Sequence, residues 1–203
     1  MGRFINVCLL LLGLVGVART TKFYTPQADR LPVNLYYETL CPYCKEFVTK
    51  QLDYSMFLRE RLQHSDLTLV PYGNAVIDAN GNVECQHGVD ECELNAWHAC
   101  ILEHHDIYIS LKLISCMMQN KHNSLDFCSS PMNINVTDVK NCKNTRKTSD
   151  ILKKYAEETA KVKFSGVPAV FINNERPENA TEDFDKAFCD AYLKKFNKLL
   201  YKC

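Results

Sequence analysis

Leu40-Cys41-Pro42-Tyr43-Cys44-Lys45 is the stretch that decides the fold. Two cysteines stand two residues apart. Val33-Asn34-Leu35-Tyr36-Tyr37-Glu38 before them reads as a strand. The chain after them reads as a helix running to about His64, with Phe47, Val48, Leu52 and Leu62 on one face. A Cys-x-x-Cys in that setting is a redox pair. Cys41 falls at the helix N-terminus, where the dipole and the free backbone N–H groups favour a thiolate. The thiolate is the species that attacks a disulfide. Cys41 is therefore expected to be the exposed nucleophile. Cys44, one turn further in and more buried, is expected to resolve the mixed disulfide.

Upstream of the pair, the sequence indicates a compartment. Met1-Gly2-Arg3 is a basic start, Phe4 to Val17 is apolar, and Gly16-Val17-Ala18 offers small residues for cleavage. This predicts a secretory signal peptide over residues 1–18, too short for a spanning helix. No later run is apolar enough to cross a bilayer. The leader would remove Cys8 and leave ten of the eleven cysteines, an even number. In an oxidising compartment cysteines pair with one another. The formal net charge of zero gives no reason to expect nucleic-acid partners.

Downstream, Leu67 to Tyr72 reads as a second strand, and Asp78-Ala79-Asn80-Gly81-Asn82 as a turn. Leu94–His105 and Ile107–Met118 keep helical spacing. Residues 126–147 are polar and loop-like. Ser149 is placed to cap a helix running to about Val162. Ser165-Gly166-Val167-Pro168-Ala169-Val170-Phe171-Ile172 reads as a strand with a proline at its start, and Glu182 to about Leu200 as a last helix. A further strand is expected in the turn region after Asn174. The order predicts an α/β, thioredoxin-like fold in one domain over residues 19–203. A helical, disulfide-rich insertion over roughly residues 75–148 would divide its two halves. In such folds the proline matching Pro168 is cis and lies beside the redox pair. Val167 and Pro168 are thus expected to bind an extended substrate segment as a sheet edge would.

The stretch Cys85-Gln86-His87-Gly88-Val89-Asp90-Glu91-Cys92-Glu93-Leu94-Asn95-Ala96-Trp97-His98-Ala99-Cys100 is the most specific in the chain. It resembles the signature of the gamma-interferon-inducible lysosomal thiol reductases. That signature is Cys-Gln-His-Gly, two residues, Glu-Cys, two residues, Asn, four residues, Cys. Cys85, Gln86, His87, Gly88, Glu91, Cys92, Asn95 and Cys100 occupy its fixed positions. The resemblance implies a thiol reductase of the endosome–lysosome system or the secreted space. Such an enzyme reduces disulfides in protein substrates and so helps them unfold for proteolysis.

Metal binding is the other use for such a stretch, since Cys85, His87, Cys92, His98, Cys100 and His104 are soft ligands at short spacing. Their spacing is not a usual zinc pattern, and no metal site is expected. Cys85, Cys92, Cys100, Cys116, Cys128, Cys142, Cys189 and Cys203 are expected to form structural disulfides, with about a hundred connectivities open. Cys92 and Cys100 are roughly 12 Å apart if one helix holds both, so they need different partners. Cys203 has two options: a bridge back to Cys189, or a disulfide-linked dimer. Gln86, His87 and Asn95 have no derivable role beyond hydrogen bonding within the loop, with His87 as a proton shuttle the lesser alternative. Asn135-Val136-Thr137 and Asn179-Ala180-Thr181 are N-glycosylation acceptors at Asn135 and Asn179.

No cofactor is expected beyond the redox disulfide, which a small thiol such as cysteine or glutathione would reduce again. Tyr43 between the cysteines cannot add the charge a histidine would, which favours a reductase over a strong oxidase. A secreted isomerase or oxidase is the alternative enzyme, and a non-enzymatic, disulfide-rich binding protein the alternative outside enzymes. Acid poses a problem for any of the enzymes. An ordinary thiol with a pKa of ~8.5 is ionised in only about three molecules in ten thousand near pH 5.

Overall fold

The structure is a computed structural model that describes residues 29–119 and 124–203. The leader expected over residues 1–18 lies outside the described residues. β1 (Leu31–Tyr37) is the middle strand of a three-stranded sheet. β2 (Ser65–Pro71) lies parallel to it on one side, with Val33 opposite Leu67 and Leu35 opposite Leu69. β5 (Ala169–Ile172) lies antiparallel on the other, with Leu35 opposite Val170. β3 (Val76–Ile77) and β4 (Val83–Glu84) form a small hairpin around the Asp78 turn. There the Asp78 carboxylate accepts the Asn80 and Asn82 N–H groups.

A parallel pair needs a crossover, and here it starts with α1 (Pro42–Glu46). The helix continues in wider π-type turns over Phe47–Leu52 and Tyr54–Leu58. It stops short of the expected His64. Glu60 adopts a left-handed conformation, with φ 61°, and Arg61–His64 is a separate 3₁₀ turn. Phe47, Val48 and Leu52 are buried under the sheet as their spacing requires.

Between β4 and β5 lies the helical insertion. α2 (Val89–His104) begins five residues before the expected Leu94, because it takes in the cysteine-rich signature from Val89 onward. α3 (Ile107–Gln119) follows. The stretch expected to be loop contains α4 (Leu125–Ser129) and α5 (Thr137–Thr145). α5 buries only Val139 and Cys142, too few apolar positions to set a helical period in the sequence. What anchors it is the Cys100–Cys142 disulfide to α2. α6 (Thr148–Thr159) is preceded by Lys147 rather than capped by Ser149, and Ile151, Leu152 and Tyr155 are its buried face.

Asp183 caps α7 (Phe184–Phe196) by accepting the Lys186 N–H. The strand expected after Asn174 is reduced, among the described residues, to a single bridge between Ile172 and Glu175. Asn173 and Asn174, with φ 51° and 64°, turn the chain too sharply for more. The core is one continuous apolar cluster running from the sheet into α2, α3, α6 and α7.

Four disulfides join Cys85–Cys92, Cys100–Cys142, Cys116–Cys128 and Cys189–Cys203. The last takes the first of the two options for Cys203, the bridge back to Cys189, and corrects the second, the disulfide-linked dimer. Cys203 is bonded within its own chain, so it has no thiol with which to link a dimer. The buried Arg61 helps hold that tail, pairing with Asp185 of α7 and donating to the Tyr201 carbonyl. No helix among the described residues is long and apolar enough to cross a membrane.

Candidate active site

Cys41 caps α1. Its sulfur accepts the Cys44 N–H at 3.4 Å, and its carbonyl accepts the Lys45 N–H. Pro42 fits the first helical position, where no N–H is needed. Cys41 and Cys44 are the two free cysteines among the described residues. Cys41 is less open than expected, at 6% exposure against 0% for Cys44. Tyr43 between them is 74% exposed and stands at the mouth of the site. The Val167–Pro168 peptide is cis, and the Val167 carbonyl oxygen lies 3.8 Å from the Cys41 sulfur. The fold therefore brings together Cys41, Cys44, Val167 and Pro168. A cleft of about 630 Å³ opens beside them, lined by Tyr43, Phe47, Lys50, Gly166, Val167 and Arg176 among others.

The two thiols are poised differently. The Cys41 thiol is pulled down to about 6. The hydrogen bond from Cys44 contributes most. Burial works against it, the Cys44 and Tyr43 N–H groups add to it, and so does the charge of His87. The Cys44 thiol is pushed up, first by burial and then by its hydrogen bond to Cys41. One thiol thus gives up its proton more readily than an ordinary cysteine, and the other holds its proton.

Sequence reasoning missed the floor of this site. Glu38, the residue after β1, is 1% exposed. One carboxyl oxygen accepts the Asn74 N–H at 2.6 Å, and the other has no hydrogen-bond partner among the described residues. Burial, and then the Glu91 and Cys41 charges, push its carboxyl up to about 7 against the Asn74 hydrogen bond and the opposing charge of His87. Glu91, buried in the first turn of α2, accepts the Leu40 N–H on one oxygen and the His87 N–H on the other. Its backbone carbonyl accepts the Thr39 hydroxyl. Asn95 accepts the Thr39 N–H at 3.0 Å. Gln86 accepts from the Asn74 amide.

The signature thus holds residues 39–40, which lead into Cys41, by their backbone donors. An unpaired buried N–H there would cost about 1–3 kcal/mol. A clue was available in the sequence: an acid following a buried strand, three residues before the pair, is an unusual thing to bury.

Deeper in, His98 is buried and its Nδ1 lies 3.0 Å from the Tyr37 hydroxyl. Burial, and then the Lys45 charge, pull its imidazole down to about 3, so it stays neutral.

Ligand atoms of Glu38, His87 and Glu91 lie within 4.8 Å of one another. Both Glu91 oxygens already accept N–H groups, which fits a hydrogen-bond cluster better than a metal cage. Cys142, in a second such grouping, is tied up in its disulfide. Asn135 is exposed and its side chain accepts the Thr137 N–H, while Asn179 is half-buried in a turn.

Residues 32–132 match the sequence profile of the family described as gamma interferon inducible lysosomal thiol reductase. GILT-like protein 2 of Drosophila melanogaster is 61% identical over 97% of both chains. The gamma-interferon-responsive lysosomal thiol protein of Arabidopsis thaliana is 31% identical, over 91% of this chain and 78% of its own length. Among solved structures, DsbA of Chlamydia trachomatis superposes with a TM-score of 0.56 at 16% identity. It covers 88% of this chain and 95% of its own, and so shares the thioredoxin-like fold with its helical insertion.

Proposed function

The chain belongs to the gamma interferon inducible lysosomal thiol reductase family, and from that premise we propose that it reduces disulfides of protein substrates through Cys41 and Cys44 in the acidic endosome–lysosome system. The observation that carries this reading is the asymmetry of the pair: a Cys41 thiol held low at a helix N-terminus, beside a Cys44 thiol held high by burial.

The Cys41 thiolate attacks one sulfur of the substrate disulfide. That bond breaks, a mixed disulfide forms, and the released substrate sulfur takes up a proton. Cys44 then loses its proton and attacks the Cys41 sulfur. The second substrate sulfur leaves as a thiolate, and the pair is oxidised. Two equivalents of a small thiol, cysteine or glutathione, return it to the dithiol and form their own disulfide. The substrate strand lies along Val167 and Pro168, its backbone toward the free edge there. Reduction opens the substrate for proteolysis, and glycans on Asn135 and Asn179 fit a lysosomal route.

The test is turnover of a disulfide-bonded protein between about pH 4.5 and 7. Cys41→Ser abolishes turnover, and Cys44→Ser accumulates a mixed disulfide with substrate. Undiminished turnover in Cys41→Ser refutes the reading.

A further inference from the structure

His87 lies in the second motif, 46 positions beyond the nucleophile, yet the fold ties it through Glu91 to Leu40, the residue before Cys41. Its ring Nδ1 is 2.7 Å from one Glu91 oxygen and 3.6 Å from the unpaired oxygen of Glu38. Its own backbone N–H is fixed by the other Glu91 oxygen. The oxygen that takes the ring nitrogen also accepts the Leu40 N–H, one residue before Cys41. One carboxylate therefore sets both the imidazole and the backbone that carries the sulfur. The His87 side chain is 32% exposed, open enough to exchange protons with solvent, while both carboxylates are buried. Two buried acids side by side call for a cation, and the His87 ring, hydrogen-bonded to Glu91 and 3.6 Å from Glu38, is placed to supply it.

We infer that His87 is a positioning residue for the thiol chemistry: held by Glu91, with Glu38 beside it, its imidazolium stabilises the Cys41 sulfur as the attacking anion. The titratable groups set against it are Glu91 from α2, Glu38 from the end of β1 and Cys41 from the start of α1. Histidine is the side chain that gains charge between neutral pH and lysosomal acidity. Over the same interval Glu38, held up near 7, takes a proton and stops repelling the thiolate. Acid thus removes a negative charge that acts against the Cys41 thiolate. The charge that the Pro42-Tyr43 dipeptide lacks is delivered from the second motif.

This inference rests on the proposed reductase chemistry, and the experiment separates the two. The rate of Cys41 alkylation by iodoacetamide is followed against pH in the reduced wild type and in His87→Gln, which keeps a polar side chain and loses the charge. Near-UV circular dichroism checks the fold. The midpoint rises by about one pH unit in the variant, so alkylation near pH 5 slows about tenfold. A folded variant with an unmoved midpoint overturns the inference and leaves the reductase reading intact. An ordinary thiol midpoint in the wild type sinks the reductase reading itself.

Discussion

Replacing Glu38 by glutamine tests the floor of the site in isolation. The amide keeps an oxygen to accept the Asn74 N–H, and it removes a carboxyl that burial holds up near 7. In the unfolded chain that carboxyl titrates near its ordinary 4.5. The sign follows from linkage. A carboxyl whose folded value is raised prefers its proton in the native state. Its favourable contribution is complete below about 4.5 and is lost as pH rises through about 7. The gap between those values corresponds to about 3 kcal/mol, and solvent at the mouth of the site screens it to about 2 kcal/mol.

Stability is measured by urea unfolding at intervals from about pH 4 to pH 8. A Cys41→Ser/Cys44→Ser background leaves the four bridges without a free thiol to reshuffle them. In acid, wild type and Glu38→Gln are close. By pH 8 the variant leads by about 2 kcal/mol. Titrating groups away from Glu38 are common to both proteins and cancel in the difference; Glu91 and His87, which lie against it, add only a local coupling. A difference that stays constant across the range refutes the assignment of a buried, proton-holding Glu38.

Two further outcomes follow from the same geometry. His98 is fully buried and held neutral, its imidazole pulled down to about 3. Folding therefore loses stability as pH falls below the ordinary histidine value, about 2 kcal/mol by pH 5, and His98→Gln abolishes that acid slope in the urea profile. At Gly73 the backbone has φ +59°, and a Cβ there would lie 2.3 Å from Glu38 Cγ. Gly73→Ala is expected to cost about 3 kcal/mol in chemical unfolding and to slow disulfide reduction, because the carboxyl under the redox pair has to move.

What could be read in the sequence and what could not divide along a physical line. β1, β2 and β5 carry short apolar runs, and Phe47, Val48 and Leu52 mark a buried helix face, so local pattern was enough. Cys41 and Cys44 stood out by their spacing, and they are the two free cysteines among the described residues. α5 was hidden because a disulfide, not an apolar stripe, holds it, and the partner of Cys142 is 42 residues away in α2. The Cys92 and Cys100 partners do differ, as helix geometry required, but nothing local chose Cys85 and Cys142 for them. Glu38 read as a strand residue, and its burial arises only when Gly73 and Asn74 fold over it. The work of Glu91 and Asn95 was invisible for the same reason, since their partners are backbone N–H groups 51 and 56 residues upstream.

That dependence explains why the two motifs belong together. A Cys-x-x-Cys at a helix N-terminus obtains a low thiol from local geometry alone, through the Cys44 and Tyr43 N–H groups and the Cys44 hydrogen bond. Local geometry cannot make the site respond to acid, because none of those donors titrates in the range. Response requires groups that change charge between neutral pH and about pH 5, and Pro42 and Tyr43 offer none. Glu38, held up near 7 at the end of β1, is such a group, and the second motif sets Glu91 and His87 against it. The Cys85–Cys92 disulfide closes the turn that carries Gln86, His87 and Glu91. Breaking that bridge is expected to free the turn that presents His87 and to raise the pH midpoint of Cys41 alkylation toward that of His87→Gln.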